Sequence, residues 1–332
     1  MVYEKESQVA VEAVLKASKL CQAVQSAHLA EPIAKEDGSP VTVADFGAQA
    51  VVSAYLKEAF PNDALVSEED ARLLRQGEHA EFKDTMLHFV KTLCAHLDES
   101  HVLEAIDRGA APGGPQRRFW TLDPLDGTKG FLRGDQYAVA LALLEEGEVR
   151  LGALGCPNLP FRIEDPEGPR GCVFLAVKGE GATMRGLEDP HTKSIEVAEV
   201  NRASKARFCE SFESSHSSHG ESAQIAEILG TRKPPLRMDS QCKYGLLARG
   251  DVSIYLRLPT RRNYVETLWD HAAGTMVVQE AGGVVTDLQG RPLDFSVGRK
   301  LERNRGIVAT NGKLHRQVLQ AVQQVLQLNH GR

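Results

Sequence analysis

The sequence predicts an α/β fold in two units, an α+β N-terminal unit over residues 1–156 and an α/β unit over residues 157–332. Three observations predict it. Apolar residues recur at helical spacing through Ser7–Leu29 and again from about Ala44 to Ala59. Two apolar runs, Tyr137–Leu144 and Val149–Gly155, flank Glu145-Glu146-Gly147-Glu148 as the arms of a hairpin would. Beyond Pro157-Asn158-Leu159-Pro160, short strands alternate with helices, the order expected of layered α/β structure.

The elements follow in turn. The first helix sets Val9, Val11, Val14, Leu15, Ser18, Leu20, Cys21 and Val24 toward a core. Lys35-Glu36-Asp37-Gly38-Ser39-Pro40 is rich in turn formers, so a loop precedes the second helix. Pro61-Asn62-Asp63 stops that helix, and Ala64-Leu65-Val66 reads as a short strand. Residues 70–116 read as helical and then as loop, with a connector from Gly109 to Gly114. Phe119–Leu122 is a strand that delivers Asp123. In the second unit, strands are expected at Gly171–Val177 and Ile254–Leu258, and helices at Ser222–Leu229 and Trp269–Glu280. Gly179-Glu180-Gly181-Ala182 reads as a hairpin turn.

A chain of 332 residues is long enough for two cores, and its 42% hydrophobic and 25% charged residues suit a soluble globular protein. No apolar run approaches the roughly 20 residues of a membrane span. The start, Met1-Val2-Tyr3-Glu4-Lys5-Glu6, has neither the apolar core of a secretory signal nor the acid-poor character of a transit peptide. A cytoplasmic location is therefore expected, or an organellar one where a presequence has been removed. A net charge of −6 argues against a nucleic-acid polymer as partner. It leaves room for a small phosphorylated substrate, because bound metal ions reverse the local sign. Cys21, Cys94, Cys156, Cys172, Cys209 and Cys242 form no CxxC pair, so they read as small core residues rather than a zinc site. Cys156 and Cys172, both in strand-like segments, are candidates to be neighbours and to form a reversible bridge.

Chemistry concentrates in acidic residues. Trp120-Thr121-Leu122-Asp123-Pro124-Leu125-Asp126-Gly127-Thr128 ends an apolar run in two carboxylates, a turn glycine and a hydroxyl. Two aspartates three apart at a strand end suit a hard divalent cation. Leu268-Trp269-Asp270-His271-Ala272-Ala273-Gly274 offers a third carboxylate at a helix start, and Ser67-Glu68-Glu69-Asp70 further ones. Together they point to a magnesium-dependent phosphatase, since two or more Mg²⁺ ions lower the pKa of a water and clamp both ends of an in-line displacement. Each acid also has a plainer reading: Asp45 and Asp270 as helix caps, Glu68-Glu69-Asp70 as a solvated face. Four carboxylates gathered in one place would repel one another without metal. Asp123 and Asp126 are too far apart for the Asp-x-Asp of haloacid-dehalogenase phosphatases, and no EF-hand loop, GxxxxGK[ST] or GxSxG is present.

Asp123-Pro124-Leu125-Asp126-Gly127-Thr128 with Trp269-Asp270-His271-Ala272-Ala273-Gly274 resembles the lithium-sensitive, magnesium-dependent phosphomonoesterase superfamily. That superfamily holds inositol monophosphatase, inositol polyphosphate 1-phosphatase, fructose-1,6-bisphosphatase and the 3′(2′),5′-bisphosphate nucleotidases. The match is closest to the nucleotidases of the yeast and plant type. Its further support is Gly127–Gly134, Gly155-Cys156-Pro157-Asn158-Leu159, His216-Ser217-Ser218-His219 and Asp239-Ser240-Gln241-Cys242-Lys243-Tyr244. The resemblance implies a layered αβαβα sandwich. It implies Glu68, Asp123, Asp126, Asp270 and the carbonyl of Leu125 as ligands of two or three Mg²⁺ ions, and inhibition by Li⁺. It also implies Asp45 and Thr128 as the proton-handling pair, with Glu69 and Gly127 supporting the ligands from behind.

The resemblance further implies that Ser240, Lys243 and Arg257 hold the 5′-phosphate or ribose of a nucleotide, and that His216 faces its base. Arg257, at the end of a strand, suits bidentate capture of a phosphate. The implied reaction removes the 3′-phosphate of adenosine 3′,5′-bisphosphate to give AMP in sulfate assimilation, by a monomer. 3′-Phosphoadenylyl sulfate and inositol 1,4-bisphosphate are further candidate substrates. Two alternatives stand beside it: an inositol polyphosphate 1-phosphatase, and a metal- and nucleotide-binding sensor without turnover.

Overall fold

The computed structural model describes residues 2–29, 31–36, 38–115, 118–213, 217–261 and 264–330. Helix α1 (Glu4–Ser26) is followed by a small hairpin, β1 (Ile33–Ala34) with β2 (Pro40–Val41), and by α2 (Val43–Ala59). Strand β3 (Ala64–Ser67) leads to α3 (Ala80–Leu93) and α4 (Glu99–Asp107). Then come β4 (Phe119–Asp126), the short α5 (Thr128–Leu132), β5 (Ala138–Glu145), β6 (Glu148–Pro160), β7 (Arg170–Val177), β8 (Gly181–Gly186) and β9 (Lys193–Ile195). These strands make one seven-stranded sheet in the order β3-β4-β5-β6-β7-β8-β9, antiparallel except for the parallel β3–β4 pair.

The rest of the chain forms β10 (Phe208–Glu210), α6 (His219–Ile228), β11 (Leu236–Arg237), α7 (Cys242–Ala248), β12 (Ile254–Arg257), α8 (Ala272–Glu280), β13 (Val284–Thr286), β14 (Ile307–Thr310) and α9 (His315–His330). Its five strands pair in the order β11-β10-β12-β14-β13.

Three cores separate five layers. Helices α1 to α4 pack on one face of the large sheet through Val14, Leu20, Phe46, Met86, Trp120, Leu122 and Leu141. The other face packs Ala138, Ala140, Ala142 and Phe174 against α7, α8 and the small sheet's Tyr255 and Ala309. The small sheet's far face, with Ile254, Leu256 and Val308, is covered by α6 and α9. The order is α, β, α, β, α, the sandwich that the resemblance implies.

The sequence locates most elements closely, and α2 and the hairpin follow the predicted spacing. Glu146 and Gly147 both have positive φ, 56° and 76°, as the two-residue turn between twisted strands requires. The sheet does not stop at residue 156. Strand β6 runs on to Pro160 and pairs with β7, so the segment around 171–177 joins the first sheet rather than the second. Pro157 is accommodated because the ladder shifts register between Cys156 and Pro160, where a missing N–H costs little. The passage from one sheet to the other comes between Ile195 and Phe208. Cys156 stands directly opposite Cys172, and all six cysteines are free and buried. Among the described residues no helix is long and apolar enough to cross a membrane.

Candidate active site

A bulge in β4 gives the two aspartates a common face. Side chains three apart on a regular strand point to opposite faces. Here Asp123 pairs with Ala140 and Asp126 with Ala138, so three steps on β4 answer two on β5, and both carboxylates emerge on the same side. Pro124, which has no N–H, sits within the bulge and costs the ladder little. Gly127 follows with φ 91°, turning the chain into α5 so that Thr128 starts the helix.

Asp45 opens α2 and does two things. Its Oδ2 accepts from the Thr42 N–H and hydroxyl, both at 2.7 Å, closing a capping box. Its Oδ1 faces Thr128, whose Oγ1 lies 3.3 Å away. The carbonyl of Leu125 is 3.4 Å from the same hydroxyl. The cap and the proton-handling role are thus compatible. The cap residue of α8 is His271 rather than Asp270, and among the described residues no side-chain capping hydrogen bond is made there.

The acids feel one another. Asp123 is 2% exposed, and its carboxylate accepts the Leu125 N–H at 3.2 Å. Burial pushes its pKa well above the carboxylate range, and the charges of Glu68, Asp126, Asp270 and Asp45 push it further. Burial and Asp270 raise Asp126 to about 7 against the pull of Lys243, the Gln241 N–H and Arg257. Burial likewise lifts Asp45 to about 6, and Glu69 well above its ordinary value. Lys35, from the β1–β2 hairpin, donates to Glu68 at 2.8 Å and to Glu69. Burial opposes its charge, but those two carboxylates outweigh it and push its pKa up. One ammonium does not neutralise such a set. Hard oxygen donors, buried or half-buried and mutually repelling, fit a divalent cation such as Mg²⁺.

A second grouping has a different meaning. Ligand atoms of Glu266, Asp270 and His271 lie within 4.8 Å of one another. Glu266, however, is already held by Arg257 Nε at 2.8 Å and by His271 Nε2 at 3.2 Å. Burial works against its charge, yet Arg257 and His271 bring its pKa down to about 2. His271 Nδ1 meets the Tyr244 hydroxyl at 2.8 Å. The Arg257–Glu266–His271–Tyr244 chain therefore orients Arg257 rather than holding a metal.

Three of the four expected substrate residues, Ser240, Lys243 and Arg257, lie beside the acids. Lys243 and Arg257 lie near enough to Asp126 to lower its pKa. Lys243 is buried and donates to the carbonyls of Ser240, at 2.7 Å, and Met238, at 3.2 Å. Ser240 takes a left-handed backbone, φ 63°, with its Oγ accepting the Cys242 N–H at 3.2 Å. His216 lies outside the described residues. His219 is engaged with the Ser211 carbonyl at 2.9 Å.

Sequence reasoning missed three residues besides Lys35. Gln49, fully buried on α2, accepts the Glu69 N–H at 3.0 Å and the Ser67 hydroxyl at 2.6 Å, and donates to the Glu69 carbonyl at 2.7 Å. Its signal was available: a polar residue one turn after Asp45 on the same helical face. Gln241 donates its N–H to Asp126 at 2.5 Å, while its side chain joins the Trp269 carbonyl, at 2.9 Å, and the Gly274 N–H, at 3.0 Å. Arg299 donates to the carbonyls of Gly109, Ala111 and Ser67.

Comparison with known proteins places this geometry. The chain is 42% identical to a 3′(2′),5′-bisphosphate nucleotidase from Schizosaccharomyces pombe, over 97% of this chain and 96% of that one. It is 46% identical to a protein of the same name from Oryza sativa, over 98% and 95%. Among solved structures, its fold is similar to an inositol monophosphatase from Anabaena (Nostoc) sp. PCC 7120, with a TM-score of 0.64, 21% identity and coverage of 99% and 100%. The suhB extragenic suppressor protein from Bartonella henselae gives 0.66, 20%, 96% and 98%. The family model described as inositol monophosphatase matches residues 3–327, and with these relatives it establishes that the chain belongs to the inositol monophosphatase family.

Proposed function

We propose that the protein is a magnesium-dependent phosphomonoesterase that removes the 3′-phosphate of adenosine 3′,5′-bisphosphate to give AMP. The observation that carries this reading is the junction of the Asp45–Thr128 pair with the carboxylates of Asp123 and Asp126, beside the cations of Lys243 and Arg257. Relatives that share 41–46% of the sequence over nearly its whole length, and carry the name bisphosphate nucleotidase, support the substrate class. 3′-Phosphoadenylyl sulfate and inositol 1,4-bisphosphate are further substrates in this reading, and the working unit is a monomer, which sizing in solution tests.

Glu68, Asp123, Asp126, Asp270 and the carbonyl of Leu125 would hold two or three Mg²⁺ ions, with Glu69 and Gly127 supporting them. When bound, such ions make a water nucleophilic at neutral pH and offset charge on the leaving oxygen. Li⁺, similar in size with half the charge, would fill a site without supporting turnover. The protein's own part is proton handling and orientation. Thr128 donates its hydroxyl hydrogen to Asp45, which turns a lone pair of Oγ1 toward an incoming water, and Asp45 takes up the proton released in the attack. Asp45 is fixed for this by the capping box on its other oxygen. Lys243 and Arg257 bind the phosphate that is not cleaved, Ser240 shapes the turn between them and Asp126, and His216 is assigned to the base.

The deciding experiment is phosphate release with Mg²⁺ from adenosine 3′,5′-bisphosphate and from inositol 1,4-bisphosphate, side by side. Strong preference for the nucleotide is expected. Preference for the inositol ester would keep the metal chemistry and discard the nucleotide pocket, making the protein an inositol polyphosphate 1-phosphatase. Binding of the nucleotide without release of phosphate would make it a sensor.

A further inference from the structure

Two of the proposed ligands reach the site from different sheets. Glu68 follows β3, the edge strand of the large sheet, whereas Asp270 lies between β12 and α8 beside the small one. We infer that Arg299 is a positioning residue for the metal centre, its guanidinium setting the spacing between the segments that carry Glu68 and Asp270. The inference rests on the reading of those two acids as metal ligands.

The contacts are specific. The backbone of the Arg299 segment is laced to the approach of Asp270: the Leu268 N–H donates to the Arg299 carbonyl at 3.0 Å, and the Leu301 N–H to that of Glu266 at 2.9 Å. The side chain then crosses to the other sheet. Its Nη1 donates to the Gly109 carbonyl at 2.9 Å and the Ala111 carbonyl at 3.1 Å, and its Nη2 donates to the Ser67 carbonyl. The segment holding Gly109 and Ala111 is itself tied to β3, through Ser67 N–H to Gly109 O at 2.8 Å and Ala111 N–H to Leu65 O at 3.2 Å. The guanidinium also lies over the Trp269 ring, 4.7 Å from its centre. It thus joins the carbonyl of the residue before Glu68 to the ring of the residue before Asp270.

No carboxylate lies within ion-pair distance of Arg299 among the described residues; its guanidinium meets three carbonyls and a ring, and Asp70 acts on it only from further away. A planar fork of five donors does this, and a lysine ammonium does not. The seam closes tightly beside it. Gly298 has φ 115°, and a Cβ there would stand 3.2 Å from Pro112 O. Outer partners that orient metal ligands typically govern 10–100-fold of metal affinity.

The test uses the full chain without substrate. Mn²⁺ binding is followed by loss of the free-ion electron paramagnetic resonance signal, and melting is measured with a chelator and with saturating Mn²⁺. Wild type, Arg299→Met, Arg299→Lys and Asp270→Asn are compared. Both Arg299 variants are expected to bind Mn²⁺ about 10–100-fold more weakly, and to lose more of the Mn²⁺-induced rise in melting temperature than of metal-free stability. Unchanged Mn²⁺ affinity, or equal loss of stability with and without Mn²⁺, would overturn the inference. If Arg299→Met does not fold, Arg299→Lys decides, and wild-type affinity in that variant overturns the inference. Asp270→Asn separates the two levels. Weakened binding in that variant with normal binding in the Arg299 variants sinks the positioning role alone, whereas normal binding in Asp270→Asn sinks the ligand reading beneath it.

Discussion

Asp45 divides its two carboxylate oxygens between two tasks: Oδ2 holds the Thr42 N–H and hydroxyl at the start of α2, and Oδ1 faces Thr128 Oγ1 at 3.3 Å. The helix start that fixes Asp45 also aims it. In the proposed reaction a proton acceptor held in this way would need no reorganisation when the water attacks, and Thr128 would be the contact through which it acts.

Replacing Thr128 by Val keeps the side-chain shape and removes the hydroxyl. The expected result is a fall in kcat of about 10²–10⁴-fold, the usual share of general acid–base catalysis, with KM and melting temperature little changed. Thr128→Ser is expected to retain most of the activity. Steady-state kinetics beside circular dichroism check this, and a Thr128→Val enzyme within a few-fold of wild type would remove Thr128 from proton transfer.

Protonation of the buried acids gives the metal-free protein an unusual pH dependence. Burial raises Asp45 to about 6 and Asp126 to about 7, and moves Asp123 and Glu69 up as well. The folded state therefore binds more protons than the unfolded chain between about pH 4 and pH 7, where ordinary carboxyls have already ionised. Stability then falls as pH rises through that window. His315, lowered by burial, works the other way below its ordinary value, and Glu266, held low by Arg257 and His271 against burial, does so at the acid end, but Asp239 and Asp251, raised by burial, add to the four. In chelator the melting temperature is expected to drop by about 5 °C or more from pH 5 to pH 7.5, and Mg²⁺ is expected to flatten that slope. A metal-free melting temperature that rises over this range would show that the acids are not gathered as described.

Gly127 is the hinge between Asp126 and Thr128. Its φ of 91° is a left-handed conformation that costs a residue with a Cβ roughly 1–2 kcal/mol, and the added Cβ would stand 3.0 Å from that of Ser240. Gly127→Ala is expected to melt only a few degrees lower while losing most of its turnover, because the strain is relieved by moving Asp126 or Thr128. Parallel loss of stability and turnover would point to a general fold defect instead.

How much of this the sequence discloses depends on the range of the contact. Asp123, Asp126 and Thr128 sit in one short motif at the end of a strand that periodicity shows, so their gathering is legible, whereas the pairing of Asp45 with Thr128 is expected only from the family resemblance. The bulge that turns Asp123 and Asp126 to one face is not, because it is a property of pairing with β5. Periodicity recognises β7 as a strand but cannot say which sheet it joins. Gln241 and Arg299 are invisible for the same reason, since their partners lie far away in sequence. Arg299 and Ser67 are separated by 232 positions. Lys35 lies in a segment whose turn formers announce a loop and conceal an ammonium directed at Glu68 and Glu69.

Arg257 carries the last prediction. Its guanidinium is anchored on Glu266 at 2.8 Å, and its Nη2 lies 3.3 Å from the Tyr264 hydroxyl. Removing it does two separable things. In the proposed reading it takes a charge-assisted hydrogen bond from the uncleaved phosphate, worth about 1.5–3 kcal/mol or roughly 10–150-fold in nucleotide KM. It also leaves Glu266 buried with His271 as its remaining partner, which typically costs about 3–5 kcal/mol of stability. Arg257→Met is therefore expected to bind the nucleotide poorly and to melt early. The double variant Arg257→Met with Glu266→Gln removes the uncompensated charge, so the melting temperature is expected to recover while the nucleotide KM stays high. Hydrolysis of inositol 1,4-bisphosphate, which has no 5′-phosphate to hold, is expected to suffer much less in both. Measuring KM for both substrates in both variants, alongside melting, separates the effects. Recovery of nucleotide KM in the double variant would mean that Arg257 acts only by keeping Glu266 in place, and equal losses for the two substrates would mean that Arg257 does not choose between them.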